Sequence, residues 1–408
     1  MSTPVTEQPS AFDARPKHGV GDAVRSWWNG LARPAQWAVG LPVLALVFII
    51  PVWKPAFINT PATDFGSVMA QFAVYALLAI GLNVVVGQAG LLDLGYVGFY
   101  AVGAYTVGLL TSPDSPWRLS GEGNLLGTQW AWLACLPIAV AVTAVSGLIL
   151  GTPTLRLRGD YLAIVTLGFG EIVRLLADNL KDVTGGGQGL SQIAYPLLGK
   201  SESKPNGVFS AGSGQGIGSG VWWYWIGAVL VIIVLLIVGN LERSRVGRAW
   251  VAIREDEDAA EIMGVPTFKF KLWAFIIGAS IGGISGALYA GQVQFVVPTG
   301  FNVINSTLFL CAVVLGGQGN KIGVILGAFI IVYLPNRVQG IMVGQQSLGD
   351  FKYLFFGLAL VVLMIFRPQG LLPARQKLLA YGRRVSRAVH PTGRAPAAPS
   401  RHVTRVES

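Results

Sequence analysis

The sequence predicts an all-α integral membrane protein with about ten transmembrane helices. Charged residues make up only 12% of the 408 residues and hydrophobic residues make up 52%, whereas the charged fraction of soluble domains is near a quarter. Several apolar runs approach the ~20 residues that a helix needs to cross a hydrocarbon core. The 53 glycines agree with this class, because glycine lets membrane helices approach each other closely.

Ten apolar segments are the predicted spans. The eighth, 304–316, is too short to cross a bilayer alone, so we expect it to be broken or re-entrant. The ten segments are 36–53, 65–86, 92–112, 129–151, 161–179, 221–240, 271–291, 304–316, 322–340 and 351–367.

The distribution of basic residues predicts the orientation of the chain. With a cytoplasmic N-terminus, 22 of the 30 Lys and Arg residues fall on the cytoplasmic side and seven fall on the other. An excess of this size in short loops sets the orientation of a membrane protein. We therefore expect both termini inside the cell, and we attribute the net charge of +10 to topology rather than to nucleic-acid binding.

This layout divides the chain into three regions. Residues 1–35 are polar, and the apolar run that starts near residue 36 is followed by no signal-peptide cleavage site, so we expect a disordered cytoplasmic leader. Residues 36–372 form the predicted membrane domain, which includes a cytoplasmic loop at 243–271. Residues 373–408 form a basic tail that we expect to be disordered and attracted to membrane lipid.

The chain lacks the motifs of an enzyme or a nucleotide-binding protein. Its glycine clusters at 185–189 and 316–319 lack the Lys-Ser/Thr pair of a phosphate-binding loop. The three histidines lie in the terminal regions, so no predicted span carries one for a metal or a proton relay. We therefore expect a chain that binds no cofactor and catalyses no reaction.

A polar interruption separates the second and third predicted spans. The helix pattern breaks at 87–90, which includes Gln88, with Asn83 before the break and Asp93 just after it. Small and polar residues in a broken membrane helix can line a translocation path, and a charge within a span usually faces protein or water. The alternative is a simple cytoplasmic turn with Asp93 at a helix N-terminus, and the sequence leaves both interpretations open.

A second polar group lies on the predicted fifth span. Glu171 and Arg174 are three residues apart on one helix face, so they can form an ion pair. Thr166 precedes them on the same span. Two interpretations stay open: a structural ion pair that faces neighbouring helices, and a part of the translocation path or its gate.

Loop 243–271 is polar, but it is predicted to contain a helix. Acidic residues at 255–258 stand where a helix N-terminus favours negative charge. Two alanines at 259–260 follow as good helix formers, and Gly264 and Pro266 supply a stop. An amphipathic helix held outside the bilayer is a candidate docking surface.

Six stretches, in order, resemble the permease subunits of branched-chain amino acid ABC transporters of the LivM type. The resemblance covers about residues 36–375 and leaves out the two tails. The stretches are GLNVVVGQAGLLDLGYVGFYAVGAYT (81–106), LRLRGDYLAIVTLGFGEIVRLL (155–176), VTGGGQGL (183–190), RSRVGRAWVAIREDEDAAEIMGV (243–265), KLWAFIIGASIGGISGALYA (271–290) and RPQGLL (367–372).

The resemblance implies a helical permease in the plasma membrane of a bacterium. Such a subunit would pair with a second, homologous permease, be driven by two cytoplasmic ATPase subunits that bind the ATP, and receive substrate from an extracytoplasmic binding protein. Urea and short-chain amide importers have closely similar subunits and are the alternative within this class. The alternative of another class is an ion-coupled secondary transporter, with Asp93 and Glu171 as ion sites.

The resemblance also implies that loop 243–271 couples the permease to its ATPases. The importer pattern reads Glu-Ala-Ala, three residues and Gly, and residues 258–264 match it with Asp in place of Glu. The Ile-x-Leu-Pro that follows in the general importer pattern is absent. The predicted coupling-helix residues are Arg254, Glu255, Asp258, Ala259, Ala260 and Gly264.

Overall fold

The structure is a computed structural model of the chain. The predicted leader at 1–35, the tail at 373–408 and the beginning of the first predicted span lie outside the described residues, which all belong to one compact unit within 37–374. The described residues are 42, 45–53, 60, 63–119, 131–157, 159–197, 207–210, 218–339, 342–343, 346–347, 351–366 and 370–372.

The described part of the chain is almost wholly helical, because apolar segments in a bilayer must satisfy their backbone groups internally. Residues 45–53 are helical, a π-helix at Asn83–Gln88 continues α1, and two short strands, Met342–Val343 (β1) and Gln346–Ser347 (β2), pair antiparallel. The helices are α1 Phe65–Leu82, α2 Val97–Thr111, α3 Ala131–Thr154, α4 Asp160–Asn179, α5 Lys181–Thr184, α6 Ser219–Arg243, α7 Arg245–Glu255, α8 Glu257–Ile262, α9 Thr267–Val293, α10 Val303–Gly316, α11 Lys321–Val338 and α12 Lys352–Phe366.

Five helices in the described ranges are long and apolar enough to cross a membrane: α1 with its π-helix, α3, α6, α9 and α11. Helices α2 and α10 and most of α12 are apolar but shorter. Helix α4, which carries four charged residues including Glu171 and Arg174, is in neither group. The predicted class of helical membrane protein is confirmed, while the number of ten spans stays a prediction.

The third predicted span is wrong at its start. The sequence predicts a span at 92–112, but α2 begins at Val97 and the residues of segment 89–96 are not helical. Asp93 Oδ1 accepts a hydrogen bond from Gly95 N–H at 2.9 Å, which stabilises a turn before the helix begins. The predicted interruption of the helix at 87–90 is confirmed.

Helix α9 is the central helix of the bundle and packs against α1, α2 and α3. Glycines permit these close contacts: a Cβ on Gly103 of α2 would lie 2.4 Å from the carbonyl oxygen of Gly283 on α9. The Trp132 indole of α3 donates a hydrogen bond to the Ala287 carbonyl of α9 at 3.0 Å. The high glycine content of the sequence thus serves close packing between helices.

The connections between helices collect at the two ends of the bundle. At one end the Gly319 N–H donates to Asn83 Oδ1 at 2.8 Å, which joins the turn before α11 to the end of α1. At the other end the Ser112 hydroxyl donates to the Ser191 carbonyl at 2.6 Å. This grouping agrees with the two sides predicted from the basic residues, and the cytoplasmic position of the first end stays a prediction from the charge distribution.

Candidate functional site

Loop 243–271 folds into two short helices. Ser244 caps α7, since its hydroxyl oxygen accepts a hydrogen bond from Val246 N–H at 3.1 Å. Asp256 caps α8, because its Oδ1 accepts one from Ala259 N–H at 3.0 Å. Helix α8 is the predicted helix, while α7 is an additional one, indicated by the alternation of basic and apolar residues in its sequence RVGRAWVAIRE.

Helix α8 ends in a motif that requires a left-handed backbone. Gly264 has φ +83°. Its N–H donates to the Glu261 carbonyl at 2.9 Å, and Val265 N–H donates to the Ala260 carbonyl at 3.0 Å. This pair of bonds is the Schellman arrangement. The predicted helix stop at Gly264 is confirmed.

We expect Gly264→Val to loosen the end of α8. The left-handed conformation costs a side chain about 1–2 kcal/mol, and a Cβ here would meet nothing within 4 Å, so the cost is conformational alone. Trypsin should cleave the variant's loop 243–271 about tenfold faster, because cleavage follows local opening. Gly264→Asn is the matched control, since asparagine tolerates this conformation. Equal cleavage rates for all three proteins would contradict this prediction.

The predicted coupling-helix residues separate into an outward and an inward group. Glu255, Asp258, Ala259 and Gly264 are exposed, whereas Ala260 is only 5% exposed and packs against its own chain. Ala260 therefore supports α8 from within rather than offering a free surface for close approach.

The tip of α8 is formed by two apolar residues that are not among the predicted coupling-helix residues. Ile262 is 85% exposed and Met263 is 82% exposed. Large apolar side chains in a polar loop are the sequence signal that points to them. They make the end of α8 the most exposed apolar point among the described residues of this loop.

Two contacts tie loop 243–271 to the start of α9. The Trp250 indole N–H of α7 donates to the Phe270 carbonyl at 2.7 Å. Lys271 of α9 forms an ion pair with Glu257 at the first residue of α8. Because Lys271 is buried, this pair is shielded from solvent and restrains α8 relative to α9.

A third contact ties the loop to the end of α1. The Arg254 guanidinium of α7 donates to the Gly87 carbonyl in the π-helix. Burial lowers the pKa of Arg254 from its usual value, although a guanidinium stays charged in proteins. Gly90 leaves room for this side chain, because a Cβ there would lie 3.0 Å from Arg254 Cγ. Arg254 is thus a link between α7 and α1 and is half-buried rather than free for docking.

The π-helix is also held by α6 and by the turn before α11. Gln88 Nε2 donates to Glu242 Oε1 at 2.5 Å, and the other oxygen of Glu242 pairs with Lys321 Nζ at 2.6 Å. Asn83 accepts the bond from Gly319 N–H. π-Helical turns are frequent at functional sites. Asn83 and Gln88, both predicted for the translocation path or gate, therefore lie where α1, α6, α7 and α11 meet.

Asp93 and Thr166 lie together at a separate place. Asp93 is 1% exposed and binds Gly95 N–H through Oδ1. The Leu94 N–H donates to Thr166 Oγ1 at 3.2 Å, and the Leu94 carbonyl accepts from the Ser306 hydroxyl at 2.5 Å. We call Asp93, Thr166 and Ser306 the polar junction, since they surround one segment of chain between α4 and α10.

Glu171 and Arg174 form the predicted ion pair, with Arg174 Nε 2.9 Å from Glu171 Oε1. Both side chains are partly exposed on α4, and they bind each other. The six predicted path residues thus occupy three places: the end of α1, the polar junction and the surface of α4.

Comparison with known proteins places this architecture in one family. The family model described as branched-chain amino acid transport system / permease component matches residues 65–364. No solved structure matches the chain.

Individual relatives agree with this match. The chain is 40% identical to the high-affinity branched-chain amino acid transport system permease protein LivM of Salmonella typhimurium, over 81% of this chain and 74% of that protein. It is 25% identical to a probable LivM of Methanocaldococcus jannaschii, over 76% and 93%. It is 24% identical to the permease protein LivH of Salmonella typhimurium, over 74% and 91%. The chain therefore belongs to the family of branched-chain amino acid transport system permeases.

Proposed function

We propose that this chain is the membrane-spanning subunit of an ATP-binding-cassette importer that takes up branched-chain amino acids across the plasma membrane of a bacterium. The observation that carries the proposal is loop 243–271, a two-helix unit with an exposed apolar tip in a chain of this family. ATP is bound and hydrolysed by two partner subunits, and this chain binds no cofactor.

Loop 243–271 transmits the motion of the ATPases to the membrane helices. Its tip at Ile262 and Met263 docks in an ATPase cleft, and its ion pair and hydrogen bonds hold it to α1 and α9. Because these contacts are partly buried, movement of α7 and α8 pulls on the π-helix at 83–88. Asn83 and Gln88 then form part of the gate at this end of the path.

A second, homologous permease completes the translocation path. Salmonella typhimurium has both a LivM and a LivH permease protein, and this chain is similar to each of them. Two related permeases in one organism support a paired arrangement. An extracytoplasmic binding protein delivers the substrate to the end of the bundle opposite loop 243–271.

Reconstitution of the assembly tests this function. The chain, a second permease, the ATPase pair and a binding protein are placed in liposomes, and uptake of labelled leucine, isoleucine and valine is measured. We expect uptake that requires both ATP and the binding protein, and the chain alone should be inert. ATP-driven uptake of labelled urea or acetamide, but of none of the three amino acids, would identify the amide importer instead. Leucine movement by the chain alone down a proton gradient would identify a secondary transporter.

A further inference from the structure

The polar junction contains a carboxylate with one oxygen that makes no hydrogen bond of normal geometry among the described residues. Asp93 Oδ1 accepts the Gly95 N–H, and the Thr166 hydroxyl interacts with the same carboxylate, but Oδ2 is sealed from solvent and makes no hydrogen bond of normal geometry among the described residues. A buried polar atom without a partner costs about 1–3 kcal/mol, and more when it is charged. The turn at Gly95 needs only one oxygen, so it does not explain why the second is buried in this way.

Asp93 lies deep in the bundle rather than at its end. Gly319, just beyond α10, bonds Asn83 at the end of the bundle, whereas Ser306 near the start of α10 bonds Leu94. The ten residue steps of α10 from Ser306 to Gly316 rise about 15 Å, which is half of a ~30 Å hydrocarbon core. Segment 89–96 therefore carries the chain back into the bundle before α2 begins.

A helix N-terminus faces the same place. Helix α2 is 15 residues long and begins at Val97, just after the turn that Asp93 and Gly95 form. The N-terminus of a helix carries partial positive charge and favours anionic groups. The junction thus combines a carboxylate with the positive end of a helix, which are complementary to the two charges of a zwitterion.

Aromatic rings adjoin this polar group. Phe309 lies one turn from Ser306 on α10, and Tyr100 lies one turn into α2; their ring centroids are 5.8 Å apart. Tyr75 of α1 contacts Phe309 at 5.2 Å, and Phe301 contacts Tyr100 at 5.1 Å. These rings are buried against one another, so they can receive an aliphatic side chain only when the helices around them separate.

We propose that the polar junction is an internal site for an apolar amino acid in transit. Asp93 Oδ2 binds the ammonium group, the N-terminus of α2 faces the carboxylate, and the cluster around Tyr100 and Phe309 meets the aliphatic side chain. The site rests on the proposed import function and adds the groups that recognise the substrate inside the membrane. Because Oδ2 is sealed, the site opens only when the surrounding elements separate during the transport cycle.

The first test uses Asp93→Asn in the reconstituted complex. Asparagine keeps the oxygen that caps Gly95 and removes the negative charge, so a purely structural Asp93 would tolerate it. We expect leucine transported per ATP to fall at least tenfold, with the ATPase rate within twofold of the parent. Leucine per ATP within twofold of the parent would overturn the site. Asp114→Asn is the matched control, since Asp114 is an exposed carboxylate that bonds Ser191.

A second measurement does not depend on that variant. Ser306→Cys, in a background with Cys135→Ala and Cys311→Ala, is labelled with a small thiol reagent in the complex during ATP turnover. We expect millimolar leucine to slow labelling at least threefold, and 4-methylpentanoate, which lacks the ammonium, to leave it unchanged. Equal labelling with and without leucine would overturn the site. If the parent complex moves no leucine at all, it is the proposed function that fails.

Discussion

Replacing Ile262 and Met263 together by aspartate is expected to reduce ATP-driven uptake at least tenfold while the permease stays folded. The two side chains are 85% and 82% exposed, so their loss removes almost no contact within the chain. In the proposed complex they would be buried against the ATPase, where unpaired charges are costly and where a few central apolar residues dominate the binding energy. Uptake, ATPase rate and co-purification of the ATPases are measured on the same preparation.

The control for this variant is Trp117→Asp. Trp117 is also an exposed apolar residue, 58% exposed, but it lies in the connection after α2, at the other end of the bundle. It should leave co-purification of the ATPases unchanged. Normal uptake by the Ile262 and Met263 double variant would refute the docking role of the α8 tip.

Gly95→Ala is expected to prevent correct folding of the permease. A Cβ at this position would lie 1.6 Å from the backbone carbonyl oxygen of Thr166 on α4, so two backbones would have to separate. That separation would break the bond from Leu94 N–H to Thr166. Overpacking lowers the free energy of unfolding by about 1–3 kcal/mol and occasionally more. We expect a clash between two backbones to cost at least the upper value of this range. Yield of monodisperse protein and thermal unfolding in detergent are the measurements.

Gly168→Ala on α4, the helix against which Gly95 packs, is the matched control. A Cβ on Gly168 would meet nothing within 4 Å. Alanine is favoured over glycine within a helix by about 1 kcal/mol. This variant should unfold at the parent's temperature or slightly above it. If Gly95→Ala unfolds at the same temperature as Gly168→Ala, the tight packing of segment 89–96 against α4 is refuted.

The features predicted correctly from the sequence are local ones. The start and stop of α8 follow from neighbouring residues, the acidic run at 255–258 and a glycine that accepts a left-handed backbone. The pair of Glu171 and Arg174 follows from helical spacing. The interruption at 87–90 follows from a cluster of small and polar residues in an apolar run. Each of these depends on residues only a few positions apart.

The features missed from the sequence depend on distant residues. Glu242 joins Gln88 and Lys321, which are 233 positions apart in the chain, and no local pattern indicates this contact. The inward direction of Ala260 depends on how α8 packs against the rest of the loop. The late start of α2 depends on segment 89–96, which lies between α4 and α10. There the Leu94 backbone forms hydrogen bonds with Thr166 and Ser306.

By itself, the sequence determined that this chain is a helical membrane protein of the permease type, and it located loop 243–271. Hydrophobic runs, basic-residue counts and short motifs suffice for this, because a bilayer constrains each span separately. Only the tertiary structure decided that the apolar side chains of Ile262 and Met263 are exposed at the tip of α8, and that Asp93 is buried with one oxygen that makes no hydrogen bond of normal geometry among the described residues. Exposure and hydrogen bonding are set by neighbours that are far away in the sequence, so they exist only once the helices have packed.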